Sequence, residues 1–206
     1  MPPDYSAPYE AERRKLLRSF IPTGTGTAVD IGCHDGTMSD LLVDAGYEVV
    51  GYDLNAEAVQ QARRNRPGRD FRVGSAKDAV EVYDRVITMC LEVLEHLPEE
   101  QQKGFLDELA EGSPQGSWLV LSTPMRHSLV ATWERFRSPN RYRTFNWWDD
   151  THVGVITWPK LRSLLAASGW QVEQRAGFHC LPFGTPFGST RFTRLGFDLI
   201  VLARRV

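Results

Sequence analysis

Glu92, Glu95, His96 and His152 are the residues whose types and spacing point most directly to chemistry. The first three follow an apolar stretch, Val86 to Leu91, that reads as a buried strand. If a helical turn opens there, positions i, i+3 and i+4 project from one face, and two carboxylates converge with an imidazole. His152, isolated in a later loop, can then close the shell. Carboxylate oxygens with imidazole nitrogens suit a divalent ion such as Mg²⁺, Mn²⁺, Fe²⁺ or Zn²⁺, and the set lacks the thiolates of a closed structural zinc site. Open coordination positions would take water or a substrate oxygen. The plainer alternative for Glu92, Glu95 and His96 is a solvated helix start, where acids favour the positive end of the dipole.

Those residues need a scaffold, and the patterning supplies one. From residue 27 to residue 123 apolar runs alternate with amphipathic stretches, the signature of repeated βα units around a mostly parallel sheet. The spacing predicts helices over 7–20, 36–45, 55–65 and 98–111, and strands over 27–31, 47–52, 70–73, 84–90 and 117–123. This is an α/β, doubly wound sheet. Pro159 opens a further helix that stops at Gly169, and two more strands are predicted over 170–176 and 196–204. Between them, Gly177 to Leu195 contains Pro182, Gly184, Pro186 and Gly188 and reads as a loop or lid.

Composition narrows the function classes. The chain has 206 residues, 42% hydrophobic and 24% charged, which fits one globular domain over 1–206. A formal net charge of -2 argues against a surface that grips long nucleic acid through many phosphates. Cys33, Cys90 and Cys180 show no CxxC pattern, so neither a disulfide framework nor a cysteine zinc site is indicated. Asp4, Glu10, Glu12, Arg13, Arg14, Lys15 and Arg18 break up the start of the chain, and no apolar run approaches ~20 residues. The expectation is a soluble, unprocessed, cytoplasmic protein with no membrane association.

A second motif lies at the end of the first strand. In Val29-Asp30-Ile31-Gly32-Cys33-His34-Asp35-Gly36, Gly32 and Gly36 sit where a backbone must approach a ligand closely. The next strand ends in Asp53, whose carboxylate can accept both hydroxyls of a ribose. The dinucleotide fingerprint GxGxxG is absent, which disfavours nicotinamide binding. Tight βα turns also use glycine for steric reasons alone. It is the pairing with Asp53 that favours a cofactor.

These residues resemble the class I S-adenosylmethionine-dependent methyltransferases, whose first motif is an acid, a residue, then Gly-x-Gly-x-Gly. The resemblance implies a Rossmann-like, seven-stranded sheet with an antiparallel last strand and helices on both faces. It further implies that Asp30 and Gly32 lie beside the methionine part of the cofactor, Asp53 holds the ribose, Ser75 or Ala76 edges the adenine, and His34, Gly36 and Leu54 belong to the cofactor-binding set. Leu91 would pack on the ligand, and Arg13 or Arg14 would meet the methionine carboxylate. His34 replaces the middle glycine, and Ser75 stands where an aspartate is common.

Glu92-Val93-Leu94-Glu95-His96, then Ser122-Thr123-Pro124 and Thr151-His152, is similar to a narrower group. It resembles the ubiquinone-biosynthesis O-methyltransferases and the small-RNA 3'-terminal 2'-O-methyltransferases. In both, the Glu-x-x-Glu-His segment is associated with a divalent metal. The resemblance implies metal ligation by Glu92, Glu95, His96 and His152, with His96 and His152 also catalytic, since a neutral His can ligate the ion or accept a proton. His127 is a backup base, and His179 a weaker one.

Arg126, Arg135, Arg137, Arg141 and Arg143 are interleaved with Trp133, Phe136, Tyr142, Phe145, Trp147 and Trp148. Such a mixture can stack on flat rings and pair with carboxylates or phosphates, and an insert over 125–157 would cover the acceptor pocket. The leading expectation is a metal-assisted O-methyltransferase acting on a small polyhydroxylated or catechol-like acceptor. An RNA 3' end offers the same vicinal diol and is the alternative. A catalytically silent cofactor-binding module is the third reading.

Overall fold

The computed structural model describes residues 7–125, 136, 151–180, 186–191, 193 and 196–206. In chain order its elements are Ala7–Phe20 (α1), Thr27–Ile31 (β1), Asp40–Val43 (α2), Glu48–Asp53 (β2), Ala56–Asn65 (α3), Asp70–Val73 (β3), Ile87–Leu91 (β4), Glu99–Glu111 (α4), Trp118–Pro124 (β5), Trp158–Ala167 (α5), Trp170–Cys180 (β6), Pro186–Ser189 (β7) and Asp198–Arg205 (β8). Short 3₁₀ turns cover Asp78–Glu81 and Leu94–His96. Local chemistry fixes several boundaries. The Asn55 side chain accepts from the Glu57 and Ala58 amides and starts α3. Pro159 sits in the first turn of α5, and Gly169, at φ +77°, follows its end.

The strands form one sheet in the order β3-β2-β1-β4-β5-β8-β6-β7. β3, β2, β1, β4 and β5 run parallel, whereas β8 is antiparallel to both β5 and β6, and β7 is antiparallel to β6. The β4 sequence ITMCL is buried throughout because helices cover both faces. Side chains alternate between those faces: Leu119 and Leu121 pack with Leu106, Leu161 and Trp170, while Val120 packs with Leu17, Leu42 and Phe178. Strand order reverses between β1 and β4, which opens a crevice at their carboxyl ends.

Two expectations need correction. The helix expected over 36–45 shrinks to Asp40–Val43, because Gly36, at φ +79°, belongs to a turn in which its amide bonds to the Cys33 carbonyl. The sheet has eight strands rather than seven. The segment read as a loop over 177–195 continues β6 to Cys180 and returns as β7, pairing Phe178 with Gly188. No helix among the described residues is long and apolar enough to cross a membrane.

Candidate functional site

At the carboxyl end of β1 the chain leaves the sheet through positive φ at Gly32 (+76°), His34 (+46°) and Gly36 (+79°). The Gly32 and Cys33 amides both bond to the Tyr52 carbonyl, 2.8 and 3.0 Å, which hangs this turn on β2. A Cβ at Gly32 would collide with Val93, so glycine is required there for space as well as for its backbone angle. His34 adopts an angle that costs an L-residue about 1 to 3 kcal/mol. Its amide donates to Asp53 Oδ2 at 2.8 Å, while the Asn55 amide takes Asp53 Oδ1 at 2.8 Å. Each Asp53 oxygen retains acceptor capacity for a further hydroxyl.

This turn lines a cavity of about 1040 Å³. Arg13, Asp30, Gly32, His34, Asp53, Leu54, Ser75, Ala76 and Leu91 all line it, so the residues that the sequence assigned to a cofactor stand around one space. Gly36 is not among them; a Cβ there would meet the Phe71 ring, and its part is to pass the turn beneath the wall. Asp30 is buried and accepts from Ser39 Oγ at 2.5 Å. Burial pushes its carboxyl up to about 7 against that hydrogen bond, with the Asp53 charge adding to the rise. Ser75 gives both its amide and its hydroxyl to Asp78 Oδ2, at 2.7 and 2.8 Å. An acid therefore stands behind the serine that occupies the usual aspartate position.

The carboxyl end of β4 carries the second cluster. Glu92 sits at φ +55°, outside the 3₁₀ turn that starts at Leu94, so the expected one-face convergence of Glu92, Glu95 and His96 does not form. Its Oε1 accepts from Ser122 Oγ at 2.5 Å and lies 3.3 Å from Arg13 Nη2. Arg13 is thus turned to Glu92, with Glu10 4.0 Å away on its other side. Burial opposes the Arg13 charge, but Glu92, Asp198 and Glu10 outweigh it and push its pKa up.

Glu95, His96 and His152 do converge: one ligand atom from each lies within 4.8 Å of the other two. Glu95 is fully buried; Thr123 Oγ1 donates to its Oε2 at 2.9 Å, and its Oε1 has no hydrogen-bond partner among the described residues. Burial first, and the Glu92 charge second, raise its pKa well above the carboxylate range. The His96 and His152 rings meet edge to face with centroids 5.0 Å apart. His96 Nδ1 lies 3.2 Å from the Thr151 carbonyl oxygen and 2.9 Å from Thr151 Oγ1. In the tautomer that donates from Nδ1 to this carbonyl, Nε2 keeps its lone pair for a ligand. An orphaned buried carboxylate oxygen beside two imidazoles is a donor set that fits a divalent cation.

Other site features were missed in the sequence. Asp198, at the start of β8, is buried and accepts from Tyr9 at 3.1 Å; burial and then the Glu92 charge push it up to about 8. Nothing in its local sequence distinguishes it from an ordinary strand terminus. Gln102 is fully buried, its amide beside the carbonyls of Leu94 and Leu97 on either side of Glu95 and His96. Its signal was available, since 102, 106 and 109 share the apolar face of α4. Of the arginine and aromatic segment over 126–148, only Phe136 is described, and it is exposed. His127 and the remainder lie outside the described residues, and His179 lies in β6.

Residues 6–175 match the family described as methyltransferase domain. Among curated proteins, the ubiquinone biosynthesis O-methyltransferase of Hydrogenovibrio crunogenus is 28% identical over 121 residues, 56% of this chain and 49% of that protein. The protein of the same name from Sinorhizobium fredii is 25% identical over 184 residues, 86% of this chain and 72% of its own. The first of these matches therefore spans about half the relative's length. Among solved structures, a SAM-dependent methyltransferase from Archaeoglobus fulgidus superposes with a TM-score of 0.69 at 19% identity, covering 95% of this chain and 94% of that one. An S-adenosylmethionine-dependent methyltransferase from Mesorhizobium loti gives 0.69 at 19%, covering 93% and 96%.

Proposed function

The chain belongs to the methyltransferase domain family, and from that premise we propose that it transfers a methyl group from S-adenosylmethionine to a hydroxyl of a small acceptor bearing a vicinal diol or catechol, with a divalent ion at Glu95, His96 and His152. The observation that carries this reading is the convergence of those three side chains at the rim of the cofactor cavity, whose wall includes His96 and Glu92. The names of the curated relatives favour oxygen as the acceptor atom.

S-Adenosylmethionine brings a sulfonium whose methyl group is open to in-line attack. The residues that line the cavity would hold it: Asp53 would receive the ribose hydroxyls, the Gly32 turn would let the backbone close on the methionine part, and Leu91 would pack from the end of β4. The acceptor oxygen forms the new O–CH₃ bond as the C–S bond breaks, its electron pair leaving with sulfur. A divalent ion held by Glu95, His96 and His152 would stabilise negative charge on that oxygen and fix a neighbouring hydroxyl. With both imidazoles engaged by the ion, the acceptor proton leaves to solvent. Glu92, held by Arg13 and Ser122, belongs to the cofactor side of the cavity rather than to the ion.

The test is transfer of labelled methyl to a panel of catechols and to a short RNA with a free 3' diol, with and without added Mn²⁺. Ion-stimulated labelling of catechols is the expected result. Labelling confined to the RNA would replace the acceptor class, and cofactor binding with no transfer to either would leave a silent module.

A further inference from the structure

One buried side chain ties together the two segments that carry the converging residues. Gln102 projects from the first turns of α4 and is fully buried. Its Nε2 lies 3.2 Å from the Leu94 carbonyl, 3.3 Å from the Leu97 carbonyl and 2.5 Å from the Gly154 carbonyl. Leu94 and Leu97 bracket Glu95 and His96, and Gly154 follows His152 by two positions. The Gly154 amide in turn donates to the Glu95 carbonyl at 2.9 Å. A Cβ on Gly154 would run into the Leu97 carbonyl, so the two segments touch without room for a side chain.

The arrangement carries a cost that an apolar residue would avoid. Gln102 Oε1 is buried with no partner among the described residues, and an unsatisfied buried acceptor is unfavourable. On the apolar face of α4, leucine would pack without that cost. The amide is explained by what its nitrogen holds.

We infer that Gln102 is a positioning residue for the ion site: its amide clamps the Glu95–His96 turn to the His152 segment, so that the two imidazoles keep their spacing independently of any ion. This rests on the reading of Glu95, His96 and His152 as ligands. Groups that orient metal ligands from outside the coordination sphere typically change affinity by about 10- to 100-fold when removed.

The experiment titrates Mn²⁺ by electron paramagnetic resonance into the full chain and into Q102L, G154A and L106A, with S-adenosylhomocysteine calorimetry on each. Q102L removes the donor, G154A wedges the segments apart, and L106A destabilises the same helix without touching the clamp. The expected result is Mn²⁺ affinity weakened about 10- to 100-fold in Q102L and G154A, unchanged in L106A, with homocysteine-cofactor affinity unchanged throughout. Hydrogen exchange in the ion-free proteins should show faster exchange at the Gly154 amide in Q102L. Wild-type-like Mn²⁺ affinity in Q102L overturns the clamp and leaves the ion site standing. If L106A loses Mn²⁺ as severely as Q102L, or if Q102L loses cofactor and ion together, the role is general stability and the inference fails. A wild-type chain that binds the cofactor but no Mn²⁺ removes the ion site itself. Should Q102L not fold, G154A and its exchange decide alone: unaltered ion affinity there is equally fatal.

Discussion

His96 Nδ1 faces the carbonyl and hydroxyl of Thr151, the residue directly before His152. One loop therefore presents a second imidazole and at the same time orients the first. Removing either ring should weaken the ion more than an outer-sphere change does. His152→Ala is predicted to lower Mn²⁺ affinity by at least about 100-fold while cofactor binding persists. Calorimetry with both ligands checks it, and a small loss would return His152 to an ordinary loop residue.

Glu92 gives the opposite expectation. Its carboxylate is engaged by Arg13 and Ser122 rather than by the imidazoles. Glu92→Gln should leave Mn²⁺ affinity near that of the wild type but cost about 1 to 3 kcal/mol of folding stability, because the buried Arg13 charge loses a charge-assisted partner. Denaturant titration measures that loss. A collapse of ion affinity would restore Glu92 as a ligand.

Asp53 accepts two backbone amides and retains capacity for two hydroxyls. Asp53→Ala should weaken S-adenosylhomocysteine by about 1.5 to 3 kcal/mol, the scale of hydrogen bonds to a charged group. Unchanged affinity would reject the ribose assignment.

Asp198 sets a pH dependence. Its carboxyl lies near 8 in the fold, against 3.8 for the free side chain, through burial and the Glu92 charge, with Arg13 and the Tyr9 hydroxyl opposing the rise. Between pH 4 and pH 8 the folded chain holds a proton that the unfolded chain releases, so stability falls as pH rises through that window. The slope from one such group reaches at most about 1.4 kcal/mol per pH unit. Asp30, raised to about 7, adds to it over the lower part of the range. Asp198→Asn should flatten the decline in thermal midpoint between pH 4 and 8, and an unaltered slope would contradict the assignment.

How much of this was legible depended on whether the signal was local. β1, β4 and β5 announced themselves as apolar runs, and Gly32 with Asp53 marked the crevice, because strand burial and turn sterics are written in adjacent residues. Glu95 and His96 were visible as a pair. The failure at Glu92 arose from spacing read as a regular helix, whereas a left-handed residue turns its carboxylate toward α1. β7 was hidden by Pro186 and Gly188, residues that an edge strand tolerates and a central strand does not. Asp198 meets Tyr9, and Gln102 meets Gly154, across long separations, so only the packed fold shows those partners.

A crystal grown with S-adenosylhomocysteine and Mn²⁺ gives the most direct measurement. An anomalous peak about 2.2 Å from a Glu95 oxygen and from one nitrogen each of His96 and His152 is the predicted result. Clear homocysteine-cofactor density with no anomalous signal between those side chains, at saturating Mn²⁺, would contradict it.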